Sequence, residues 1–235
     1  MNWLKRFLAS TIGQKVFMAL SGVALILFVI AHMLGNLQIF IPDGGEALNA
    51  YAAALHSNMG ILWVARIGLL AAVLVHIGAA TALTLRSAAA RPTGYKKKVW
   101  LGNDYPARTM RWGGVIVLAF VIYHLAHLTL GAVGPEVRAC SAVSGEMVCH
   151  VRANVIAGFQ NLPIAVFYIV AQLALGLHLA HGVWSGLRTL GLNNPRFDGL
   201  ARRSGIGIAL LITLGNISIP VAVQLDSLHI LPIFS

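Results

Sequence analysis

Four histidines, His32, His76, His124 and His178, each sit in a separate run of apolar residues long enough to cross a bilayer. An ionisable imidazole in hydrocarbon is costly and marks a functional site by default. Four of them, one per span, are enough to ligate two metal centres with two imidazoles each. The competing reading is that each ring is hydrogen-bonded to a Ser, a Thr or a backbone carbonyl of a neighbouring helix. No C-x-x-C-H occurs, which excludes covalent c-type haem attachment, so any haem here is non-covalent and b-type.

The elements that must position these rings are membrane helices. The chain has 235 residues, 58% hydrophobic and 10% charged, with a mean hydropathy of +0.79. Soluble domains carry about 25% charged residues. Five stretches reach the roughly 20 apolar residues a spanning helix needs: about 16–40, 61–85, 112–133, 159–187 and 205–225, none with an Asp or Glu. We read residues 1–235 as one all-α transmembrane domain of five helices, the first four forming a bundle around the histidines. Residues 2–11, with Trp3 and Phe7, read as a short interfacial helix rather than a signal peptide.

The net charge of +10 does not imply nucleic acid, because of where it lies. Fourteen of the 17 Lys and Arg fall near the N-terminus (Lys5, Arg6, Lys15), between Arg86 and Arg111, or between Arg188 and Arg203. The alternate loops, 41–60 and 134–158, hold only Arg138 and Arg152, together with Asp43, Glu46, Glu136 and Glu146. The positive-inside rule then places the N-terminus inside and the C-terminus outside. The run Lys96-Lys97-Lys98 reads as a topology determinant or as a docking face for an acidic partner. Cys140 and Cys149, both in the second outer loop, are either a disulfide in an oxidising compartment or two thiols.

Orientation converts positions into depths at about 1.5 Å per residue. Helix one runs outward and carries His32 some sixteen residues in, roughly 24 Å from the inner edge. His124 lies about twelve residues into helix three, which also runs outward. His76 and His178 lie about fifteen and nineteen residues from the outer starts of inward-running helices. So His32 and His124 form an outer level, and His76 with His178 an inner one, something like 10–15 Å apart. Two stacked bis-histidine haems need that arrangement, and a second axial His leaves no position for oxygen chemistry.

Gly22, Gly35, Gly78, Gly113, Gly114, Gly176 and Gly182 lie near these histidines, either to admit a flat macrocycle or to pack helices closely. His127 and His181 follow His124 and His178 by three residues and are rival ligands by spacing. His127 is also a candidate for a propionate or quinone contact. Arg66, several residues into a span, reads as a partner for an outer-haem propionate or as a snorkelling cation. His56, in the first outer loop, reads as a quinone contact or as a solvated histidine.

Taken together, Ser21-Gly22, Phe28, His32, Asn36, the His76 and His124 spans, and Gly176-Leu177-His178 with Gly182-Val183-Trp184-Ser185 resemble a known family. It is the single-subunit, dihaem cytochrome b anchor of succinate dehydrogenases and quinol:fumarate reductases. The resemblance covers all five spans and implies two b haems. It puts His76 and His178 on the inner haem and His32 and His124 on the outer, favouring His124 over His127 and His178 over His181. It further implies a flavoprotein and an iron–sulfur partner subunit, docked on the basic loop Arg91 to Arg111. It also implies reaction with a membrane quinone, menaquinone by preference, in the cytoplasmic membrane of a bacterium. The chain has no dinucleotide fingerprint and no cysteine cluster, so the succinate or fumarate chemistry is expected on another subunit. Two alternatives are a cytochrome b subunit of a hydrogenase or formate dehydrogenase, and a haem-free transporter. Against the latter, five spans cannot form two equal repeats.

Overall fold

The structure, a computed structural model, describes residues 2–90, 93, 105–134, 140–143, 146–192 and 194–234. Lys96, Lys97 and Lys98, most of the Arg91 to Arg111 loop, Glu136 and Arg138 lie outside the described residues.

Five helices are long and apolar enough to cross a membrane. They are α2 (Thr11–Asn36), α4 (Met59–Ala89), α5 (Tyr105–His124), α7 (Leu162–Thr189) and α8 (Pro195–Ser227). A 3₁₀ turn, Leu37–Phe40, extends α2, and a π-helical turn, Leu125–Thr129, extends α5. Shorter helices are α1 (Trp3–Ala9), α3 (Glu46–Ser57) and α6 (Val151–Gln160), and one hairpin pairs β1 (Cys140–Val143) with β2 (Glu146–Cys149).

The expected spans are recovered, with boundaries moved by local chemistry. The fourth span starts at Leu162 rather than 159, because Asn161 accepts a hydrogen bond from Ile164 N (3.4 Å) and Pro163 stands in the first turn. Residues 151–160 form the separate helix α6. Helix α2 begins five residues earlier than expected, capped by Ser10 accepting from Gly13 N at 2.9 Å. Helix α1 falls where a short helix was expected over 2–11. Asp43, in the loop after the first span, accepts from Gly45 N and Ala47 N, both at 2.8 Å. These bonds, Ala47's first, hold its carboxyl below the usual carboxylate range.

The packing is lopsided. Helix α8 pairs extensively with α7, and their contact carries the core: Ala165, Ile212 and Val223 have no measurable exposure. Ile39, Leu48, Phe120, Phe159 and Tyr168 close one end of it. The fifth span is therefore part of the bundle core rather than an addition to a four-helix bundle. Helix α4 buries none of its residues. It packs on α2, while α5 packs on α7, and among the described residues no packed face joins α4 to α5. Outward-facing side chains such as Val64 (74% exposed) and Trp112 (76%) suit contact with lipid.

Cys149 is disulfide-bonded, and the chain's other cysteine, Cys140, is its direct cross-strand partner in the hairpin register. Closing a loop of this size stabilises it by about 2–3 kcal/mol, roughly a 30- to 150-fold change in the open population. Cys149→Ser is thus expected to speed limited proteolysis within 140–149 by that order, with the spanning helices uncut. Peptide mapping by mass spectrometry checks it, and reductant on the parent protein is expected to give the same pattern.

Candidate metal centres

Two of the four imidazoles meet across α4 and α7. The His76 and His178 ring centroids are 6.2 Å apart at an interplanar angle of 60°. The other two meet across α2 and α5, with His32 and His124 centroids 5.8 Å apart at 86°. Rings this close could each give a nitrogen to one metal ion held between them. All four rings are only half-buried, in a molecule where α4 and α5 leave a seam between them.

The second contacts of the rings fit ligation too. His76 Nδ1 lies 3.0 Å from Met18 O and 3.3 Å from Ser21 Oγ. A carbonyl only accepts, so Nδ1 carries the proton and Nε2 keeps its lone pair for a metal. His178 Nδ1 is buried with no hydrogen-bond partner, a nitrogen left unmet inside the site. Gly22 faces His76: a Cβ there would come within 3.3 Å of the ring. In the second pair, Phe28 stacks on His32 at 5.4 Å, and Tyr168 Oη lies 3.4 Å from His124 Nδ1.

Two helices give the separation of the levels. On α2, His76 touches Met18, Ser21 and Gly22, and His32 stands ten residues beyond Gly22, about 15 Å along the axis. On α7, Tyr168 touches His124, and His178 follows ten residues later, again about 15 Å. Two levels with two rings each is the arrangement expected from depth alone.

The rival ligands turn elsewhere. His127 is buried, and its Nδ1 lies 2.9 Å from Tyr168 Oη. The π-helical turn after His124 breaks the α-helical register that would have set the two rings on one face. His181 lies edge-on to Trp184 at 5.7 Å.

The glycines divide. Gly35 packs against Tyr51, Gly176 against Thr213 of α8, so those two serve helix contact. Gly78, Gly113 and Gly182 meet nothing within 4 Å and face open space, and a Cβ at Gly114 would lie 3.8 Å from the His178 ring.

The remaining candidates, Arg66 and His56, have protein neighbours other than the His32–His124 pair. The Arg66 guanidinium lies 5.3 Å over the Trp63 ring, one turn nearer the start of its own helix. His56 Nδ1 bonds Ala52 O of α3 at 2.8 Å. Among the described residues no contact joins either to His32 or His124. At the opposite end Trp184 is flanked by Arg188 (5.0 Å) and Arg202 (4.7 Å) and donates from Nε1 to Asp198 at 3.0 Å. This cluster orders part of the basic segment Arg188 to Arg203.

Tyr168 was missed in the sequence. The available signal was a phenol in the middle of an apolar span, whose hydroxyl needs a partner when buried.

The chain is a multi-pass helical membrane protein with two facing histidine pairs at two depths. No family model, curated protein or solved structure matches it.

Proposed function

We propose that this chain is the haem-bearing membrane subunit of a succinate:quinone oxidoreductase, passing electrons between an iron–sulfur subunit and a membrane quinone. The observation that carries the reading is the pair of facing imidazoles at each of two levels, at 6.2 and 5.8 Å between ring centroids. When bound, two b haems supply one-electron carriers across the membrane. His76 and His178 hold the inner one, His32 and His124 the outer one. With two histidines to hold each group, the sites would carry electrons and would leave no position for oxygen chemistry. Met18 O keeps His76 in the tautomer that leaves Nε2 free to ligate.

The N-terminus faces the cytoplasm in this reading. Basic residues crowd the N-terminus and the segments 86–111 and 188–203, and the disulfide-bonded hairpin belongs to the other side, where an oxidising compartment keeps it closed. The basic inner segments are then the docking face for the iron–sulfur subunit, which with a flavoprotein carries the succinate or fumarate chemistry. The quinone, menaquinone by family resemblance, reacts at the outer end. The membrane is the cytoplasmic membrane of a bacterium.

A reduced-minus-oxidised spectrum of the complex purified from membranes tests the reading. We expect a b-type band, two haems per copy of this chain, and full or partial reduction by succinate with a flavin-containing partner present. Absence of a b band refutes it. Reduction by hydrogen or formate instead of succinate moves the chain to another dehydrogenase.

A further inference from the structure

The outer pair is backed by a chain of three side chains that no backbone group completes. His127 Nδ1 lies 2.9 Å from Tyr168 Oη, and Tyr168 Oη lies 3.4 Å from His124 Nδ1. Tyr168 and His127 are each 5% exposed. We infer that Tyr168, held in place by His127, is the positioning residue of the outer centre: it accepts the Nδ1 proton of His124 and aims Nε2 at the metal. This rests on the haem reading above.

Proton counting fixes the direction of the chain. If Nε2 of His124 is the ligand, its Nδ1 carries the hydrogen and donates to the Tyr168 oxygen. The hydroxyl has one hydrogen of its own, and the acceptor within reach is Nδ1 of His127. His127 is thereby the Nε2–H tautomer. A hydroxyl that donates onward is a better acceptor, so the His127 bond strengthens the one to His124. His76 meets the same need through a main-chain carbonyl, and α7 offers His124 a phenol in its place.

The surroundings lock the geometry. Phe159 and Phe120 meet the Tyr168 ring edge-on at 4.8 and 5.1 Å, leaving the phenol little freedom to rotate away. His127 is clamped by two glycines. A Cβ at Gly158 would come within 2.9 Å of its ring, and one at Gly134 within 2.6 Å. Gly134 also has φ +108°, which other residues rarely adopt. An imidazole is thus fitted against two backbones with Nδ1 turned to Tyr168 and Nε2 buried without a hydrogen-bond partner among the described residues. A buried histidine kept only for packing has no need of that orientation.

The test is a potentiometric titration of both haems in the purified complex. The outer haem is identified as the one lost in His32→Ala. Tyr168→Phe removes one oxygen and keeps the ring. It is expected to raise the midpoint potential of the outer haem and leave the inner one unchanged, because an imidazole without its acceptor donates less charge to iron. His127→Phe is expected to move the same haem in the same direction by less. Phe167→Leu, which loosens the same aromatic cluster at Tyr123 without touching a hydrogen bond or the His124 ring, is expected to move neither. Unchanged potentials in both Tyr168→Phe and His127→Phe overturn the inference, and so does an equal shift in Phe167→Leu. A parent complex without b haem defeats the functional reading instead, and is seen before any variant is made.

Discussion

Replacing His178 with alanine is expected to remove one of two b-type haems and leave the other in place. His178 faces His76 across 6.2 Å, and the second pair lies on a level about 15 Å away along α7, too far to share a ligand. Each centre has two imidazoles, so losing one removes half of its protein ligation. The haem content per chain should fall from two to one, read from the pyridine haemochrome. The α-helical content should stay within a few per cent in far-UV circular dichroism, because His178 is half-buried and contributes little packing. Succinate-driven quinone reduction should fall at least 100-fold, since the remaining centre has lost the carrier next to the donor. His76→Ala should give the same spectrum, and His32→Ala or His124→Ala the complementary one. His127→Ala and His181→Ala should keep two haems. A loss of both haems in every single variant would mean the pairs are not independent and would sink the two-level reading.

A second large effect is expected from Gly176→Leu. Helices α7 and α8 share the most extensive contact in the bundle, and Gly176 is where α7 comes flush against Thr213. A Cβ there meets the Thr213 hydroxyl, which can turn aside, but a whole leucine side chain leaves no room without the helices separating or tilting. Overpacking a tight contact costs about 1–3 kcal/mol. A branched side chain at a glycine contact in the core should fall at the upper end. His178 is two residues on, so a displaced α7 also misaligns the inner pair. We expect a lower melting temperature for the detergent-solubilised complex, by fluorescence-detected size exclusion after heating, with the inner haem lost first. Gly182→Ala is the control: Gly182 has no neighbour within 4 Å, and a methyl group there should be neutral for melting.

These two glycines show where the sequence is mute. Seven glycines near the histidines fit a macrocycle and helix packing equally well on sequence grounds. Gly35 and Gly176 proved to be packing positions, whereas Gly78, Gly113 and Gly182 face open space. The difference lies in which helix stands opposite, and that is a long-range fact. The same holds for Arg66 and His56. Their residue types suited an outer anion and a quinone, and what the structure adds is their protein neighbours, Trp63 for Arg66 and Ala52 O for His56.

What the sequence determined by itself was the set of spans, their alternating charge and the two levels of histidine. Those follow from local quantities: apolar length against bilayer thickness, charge beside each end, and a fixed rise per residue. Partner assignment within a level also followed, because each depth holds only two of the four rings. Only the tertiary structure decided that α8 is core, that α4 and α5 leave a seam, and that His127 turns to Tyr168. Each depends on helix rotation and tilt about the bundle axis. In lipid those angles are set by side-chain packing between helices, since hydropathy is satisfied by any rotation that leaves an apolar face outward. The π-helical turn at Leu125–Thr129 sharpens the point. One extra residue in a turn moved His127 off the ligand face, and the period of the apolar pattern gave no sign of it.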